Sequence, residues 1–112
     1  MPAKRLNAEL SAGAPVFAAL GDATRLRLVS RLSGGRPQSI TQLSAGAAVT
    51  RQAITKHLRV LQKVGMVHSV RTGRESLFQF DPQPFAEMHQ YLDFVSRQWD
   101  QVLGRLKTFV EE

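Results

Sequence analysis

Thr50-Arg51-Gln52-Ala53-Ile54-Thr55-Lys56-His57-Leu58-Arg59-Val60-Leu61 decides how this chain of 112 residues is read. Ala53, Ile54, Leu58 and Leu61, continued by Val64, recur at helical spacing and share one face, and Thr50 stands where an N-cap belongs. Gly65 supplies the stop. With that face turned inward, Arg51, Gln52, Thr55, Lys56, His57 and Arg59 are left as the polar set, which the reading assigns to DNA together with the cap Thr50. The chemistry of that set is that of base readout. Gln bonds adenine N6 and N7, Arg and Lys read guanine O6 and N7, and a threonine methyl meets the thymine methyl. His57 has two readings, as a donor to a phosphate or as a half-buried side chain between helices.

A solvated helix face would carry the same residues, so the neighbours matter. Upstream, Ser39-Ile40-Thr41-Gln42-Leu43-Ser44 has a capping residue and two apolar positions, enough for one short helix, and Ala45 to Val49 with Gly46 reads as a tight turn. Short helix, glycine-containing turn and longer helix make a helix-turn-helix. Downstream the period changes to two over Val67 to Arg71 and Glu75 to Phe80, with Arg71-Thr72-Gly73-Arg74 as the hairpin tip. A hairpin placed there is a wing, and Arg71 and Arg74 would bring its charge to backbone phosphates or a narrow minor groove.

Two further helices precede this core. Val16, Phe17 and Leu20 form an apolar face ended by Gly21; Asp22 then caps a helix whose inner stripe is expected at Leu26, Val29 and Leu32, widened by Leu28, with Arg27 and Arg31 outside and Gly34-Gly35 at its end. Residues 1–13 read as an N-terminal tail that becomes partly helical, and residues 14–112 as one DNA-binding and dimerisation domain. After the proline-punctuated Asp81-Pro82 and Pro84, the steps alternate three and four through Phe85, Met88, Leu92, Val95, Trp99, Val102, Leu106 and Phe109. Such a heptad stripe asks for a partner, and a second copy of the chain is the expected one.

Composition agrees. The formal net charge is +6, and twelve of the fifteen Lys and Arg but only three of the nine Asp and Glu precede Asp81, so a basic body is followed by an acidic terminal segment. Cysteine is absent, which excludes disulfides, thiolate metal sites and cysteine nucleophiles. No apolar run approaches the roughly 20 residues of a membrane span, and the polar start lacks a signal peptide's apolar core, so a cytoplasmic protein is expected. With no phosphate loop, nucleophile elbow or carboxylate pair suited to a cleft, no catalytic residue, cofactor or metal is expected. Two other readings compete: a protein-interaction module using the heptad helix, and a metal sensor with a non-thiol site built from His89 with Glu87 or Asp93 across a dimer.

Ala19-Leu20-Gly21-Asp22-Ala23-Thr24-Arg25-Leu26-Arg27-Leu28, the Thr50–Leu61 helix, Gly65-Met66-Val67 and the wing Arg71-Thr72-Gly73-Arg74-Glu75 together resemble the ArsR-type family of winged helix-turn-helix repressors, from Phe17 to the C-terminus. The resemblance implies a mainly α fold of about five helices with a β-hairpin wing, and a homodimer built on the first and last helices, which adds Phe17 to the expected interface. It also implies recognition helices in successive major grooves of an inverted-repeat operator, hence a sequence-specific repressor of transcription. The place where metal-sensing relatives carry Cys-x-Cys reads Ile40-Thr41-Gln42-Leu43-Ser44 here. The chain is thus more similar to the metal-independent branch, whose members end in a Trp-bearing helix. Neither operator sequence nor effector, small molecule or metal, is named by these residues.

Overall fold

The computed structural model describes the backbone of residues 3–111 and the side chains of residues 10–111. Five helices and a three-stranded antiparallel sheet follow in the order α1 (Ala3–Ala19), α2 (Ala23–Leu32), β1 (Gln38–Ser39), α3 (Ile40–Ser44), α4 (Arg51–Lys63), β2 (Val67–Thr72), β3 (Glu75–Phe80) and α5 (Gln83–Glu111). This is the expected winged helix-turn-helix, with two extensions.

The first is at the N-terminus. The helix expected to start near Pro15 begins at Ala3 and runs through that proline, across the expected division at residue 13. Alanine and leucine dominate the segment, and both are strong helix formers. Met1 and Pro2 of the expected tail lie outside the described residues. The second is β1, whose two residues pair with β3 (Gln38 with Phe78, Ser39 with Leu77) and make the wing a sheet of order β1-β3-β2.

Local chemistry explains the boundaries. Asp22, in extended backbone, accepts the N–H groups of Thr24 (2.8 Å) and Arg25 (3.1 Å) and so starts α2. Ser39 and Gln42 form a reciprocal capping box at α3, Ser39 Oγ accepting from the Gln42 N–H while Gln42 Oε1 accepts from the Ser39 N–H. Thr50 Oγ1 accepts the Ala53 N–H at the head of α4. In the wing, Val67 to Thr72 of β2 faces Phe80 to Glu75 of β3, leaving Gly73 and Arg74 as a two-residue loop. Gly73 takes a φ of 64° at the first central position, where such loops ask for glycine.

The core is one cluster to which all five helices and both long strands contribute. Leu32, Leu43, Ile54, Leu58, Leu61, Met66 and Val67 are fully buried, with Val16, Ala19, Leu28, Val29, Phe78 and Met88 around them. One expectation is corrected in α2: Leu28, Val29 and Leu32 form the inner stripe, while Leu26 is 48% exposed. Steps of one and three from Leu28 keep to a single face of a 3.6-residue helix, and Leu26 falls off it.

Leu61→Ala should lower the unfolding free energy by roughly 2–5 kcal/mol, the range for a buried leucine that leaves a cavity. Leu26→Gln should change it by no more than about 0.5 kcal/mol, as expected of an exposed site. Urea titration of the two variants checks the assignment, and equal losses would show the α2 stripe to be misplaced.

Candidate nucleic-acid interface

The apolar face of α4 occupies the centre of the core through Ile54, Leu58 and Leu61. The helix period then puts Arg51, Gln52, Lys56 and Arg59 on the outside, where all four are exposed. Thr50, also exposed, uses its hydroxyl oxygen as the cap. Thr55 is half-buried and donates its hydroxyl proton to the Arg51 carbonyl (2.9 Å), which leaves that oxygen only as an acceptor toward a base. Arg71, late in β2, and Arg74, in the wing loop, are both exposed.

His57 is the exception. Of its two readings, a donor to a phosphate or a half-buried side chain between helices, the geometry fits the second, for the side chain is 23% exposed and turned toward α2. Arg25 Nη1 donates to His57 Nδ1 at 3.2 Å, and Asp22 Oδ1 lies 3.9 Å from the same nitrogen. A guanidinium can only donate, so in this contact the imidazole proton sits on Nε2. Arg25 also donates through Nε to the Ala19 carbonyl. Arg25 thereby joins the end of α1, the start of α2 and the flank of the recognition helix, a role that its place in the sequence does not signal. The Asp22 carboxyl is held below the ordinary aspartate range, first by the Arg25 N–H, with the Thr24 N–H and the Arg25 charge acting in the same direction against desolvation.

The expected interface residues separate into two groups. Phe85 packs on Phe80 with ring centroids 5.1 Å apart, Met88 is buried in the core, and Phe17 meets Tyr91 edge to face at 5.7 Å. These three therefore serve the protomer's own packing, because the first turns of α5 lie over the domain. Further along, Val95 is half-buried and Leu92, Trp99, Val102 and Leu106 are 50%, 60%, 41% and 59% exposed. Leu103, Phe109 and Val110, also exposed, widen the same stripe. Within one protomer, among the described residues, no three His, Asp or Glu come together, and Asp93 pairs with Arg97. Among the described residues no helix is long and apolar enough to cross a membrane.

A family model described as a helix-turn-helix domain matches residues 20–70. The chain is 34% identical to the uncharacterized HTH-type transcriptional regulator YuzN of Bacillus subtilis in an alignment 79 residues long that covers 65% of this chain and 86% of that protein. Among solved structures, an ArsR-like transcriptional regulator from Rhodococcus sp. RHA1 superposes with a TM-score of 0.71 at 36% identity, covering 88% of this chain and 92% of that one. A homodimeric winged helix-turn-helix DNA-binding domain from Mycobacterium bovis shares the fold at 20% identity and a TM-score of 0.65, with 87% and 89% of the two chains covered.

A depressed carboxyl stabilises the fold while it is ionised. The stability given by Asp22 is therefore complete above the ordinary aspartate range and is lost as pH falls through the lowered value. Urea titrations should show Asp22→Ala less stable than wild type at pH 7, with the gap narrowing in acid below the ordinary carboxylate range. A gap that stayed constant with pH would remove the charge from the capping role.

Proposed function

The chain belongs to the ArsR-type winged helix-turn-helix transcriptional regulators, and from that premise we propose that it is a dimeric repressor that binds an inverted-repeat operator. The observation that carries the proposal is the division of α4, whose inner face is the centre of the core while its outer face presents Arg51, Gln52, Lys56 and Arg59. In this reading Gln52, Lys56 and Arg51 read base edges in the major groove, with Thr55 as an acceptor and methyl contact, while Arg59, Arg71 and Arg74 neutralise phosphates. His57 holds the recognition helix from behind instead of touching DNA.

Dimerisation supplies the second half-site. Leu92, Val95, Trp99, Val102 and Leu106 form the seam, and the homodimeric relative of the same fold supports it. Two recognition helices related by a two-fold axis require half-sites about one helical turn apart, on the order of 34 Å. Occupation of a promoter by such a dimer blocks transcription sterically.

Selection of bound duplexes from a random DNA pool tests this directly. An enriched inverted repeat with one-turn spacing is the expected result. Weak, salt-sensitive binding with no enrichment would leave only an electrostatic face and favour a protein-interaction module built on α5. On the selected site, Gln52→Ala should relax the base preference. Arg74→Ala should instead weaken binding to every sequence and lower the salt slope by about one. Trp99→Arg combined with Val95→Asp should sediment as a monomer with sharply reduced operator affinity, and a persisting dimer would place the seam elsewhere.

A further inference from the structure

Arg31 lies in the last turn of α2 and is exposed, yet its guanidinium bonds back to the protein. Nη1 donates to the carbonyl of Leu43 at 2.9 Å and to that of Ala45 at 3.3 Å. These belong to the C-terminal end of α3, where helix carbonyls lack intrahelical partners and where positive charge complements the helix dipole. From the other side Gln38 Nε2 donates to the Arg31 carbonyl at 2.8 Å, so the residue is held at both its backbone and its head group.

The turn that follows has little else to hold it. Residues 45 to 50 are all exposed, Gly46 takes a φ of 74°, and two backbone hydrogen bonds tie the turn to α3, Ala45 N–H to the Gln42 carbonyl (3.3 Å) and Ala47 N–H to the Ser44 carbonyl (3.0 Å). Beneath the turn lies a cleft of about 100 Å³ against α2, lined by Arg27, Arg31, Ala47 and Val49 among others. The Ser44 hydroxyl is buried at the same junction without a hydrogen-bond partner. Packing is therefore incomplete where α3 hands over to the recognition helix, and the Arg31 guanidinium crosses the gap. Arg51 and Gln52 come directly after this turn, so their approach to a base follows from its geometry.

We propose that Arg31 is a positioning residue for DNA readout: its hydrogen bonds to the Leu43 and Ala45 carbonyls fix the turn that aims the N-terminal residues of α4. The proposal rests on the operator-binding reading above. It makes α2 the common frame of the reading head, with Arg25 holding the flank of α4 through His57 and Arg31 holding the turn before it. Base contacts tolerate misplacement of only about 0.5 Å, so loosening this turn costs discrimination before it costs folding.

The test compares Arg31→Met, which keeps an apolar stem without donors, and Arg31→Lys, which keeps a donor, on the selected and random duplexes at two salt concentrations. Arg31→Met should lower the preference for the selected duplex by about tenfold with an unchanged salt slope, and Arg31→Lys should restore part of it. Amide exchange should quicken at Ala47 in Arg31→Met while Leu58 and Leu61 stay protected. Equal weakening on both duplexes, with the slope reduced by about one, would make Arg31 a phosphate contact and overturn the proposal. Unchanged preference, or exchange rising equally at Ala47, Leu58 and Leu61, would overturn it as well. If wild type selects no duplex, the operator-binding reading fails, and Ala47 exchange alone then decides whether Arg31 holds the turn.

Discussion

Burial of Ile54, Leu58 and Leu61 fixes more than stability. Their neighbours in the cluster come from α1, α2, α3, α5 and both long strands, so the other four helices and the wing hairpin share one core with the inner face of α4. A helix gripped along one face cannot rotate about its axis without emptying that core, and interiors this densely packed resist such movement. The orientation of Arg51, Gln52, Lys56 and Arg59 is thus a consequence of hydrophobic packing on the opposite side. Readout and folding are two faces of the same thirteen-residue helix.

Within that frame the arginines divide by what satisfies them. Arg25 and Arg31 direct their donors at the Ala19, Leu43 and Ala45 carbonyls and at His57, and so tie α2 to its neighbours. A guanidinium suits this use because several donors in a fixed fork reach two acceptors at once. Arg51, Arg59, Arg71 and Arg74 are exposed. A net charge summed over the basic body counts both kinds alike, although the first already directs donors at the protein's own acceptors.

Caps and periodicity made much of this legible from residues alone. Asp22, Ser39 and Thr50 each announce a helix and each makes the capping hydrogen bond, because a short polar side chain ahead of an apolar run has few better uses. Gly73 between alternating runs marked the wing. What escaped was set by tertiary pairing. β1 is two residues long, too short for alternation to show, and exists because β3 offers it an edge. Leu26 stands three residues before Val29, a spacing that fits a helical stripe, but the buried face of Leu28, Val29 and Leu32 lies to the other side of Val29 and leaves Leu26 outside. For His57 the residues of α4 left a phosphate contact and a half-buried place between helices equally open, and the partners that decide for the second, Arg25 and Asp22, stand at the head of α2. In the heptad run, period could not tell the turns that cover the protomer's own core from those beyond it.

That last distinction bears on how α5 is put together. Its opening turns, with Phe85 and Met88, close the domain, after which the helix continues with its apolar stripe exposed as far as Val110. Hydrophobic side chains exposed at 40% or more over five turns are costly in water and gain by covering one another in a second copy. The opposite side carries i,i+4 pairs, Asp93 with Arg97 and Lys107 with Glu111, which support the helix while leaving the stripe clear. Six of the nine acidic residues lie from Asp81 onward, so the segment proposed to join the protomers repels the polyanion that the basic body attracts. Charge therefore orients the proposed dimer on DNA before any base is read, leaving α4 and the wing to face the duplex and α5 to face its copy.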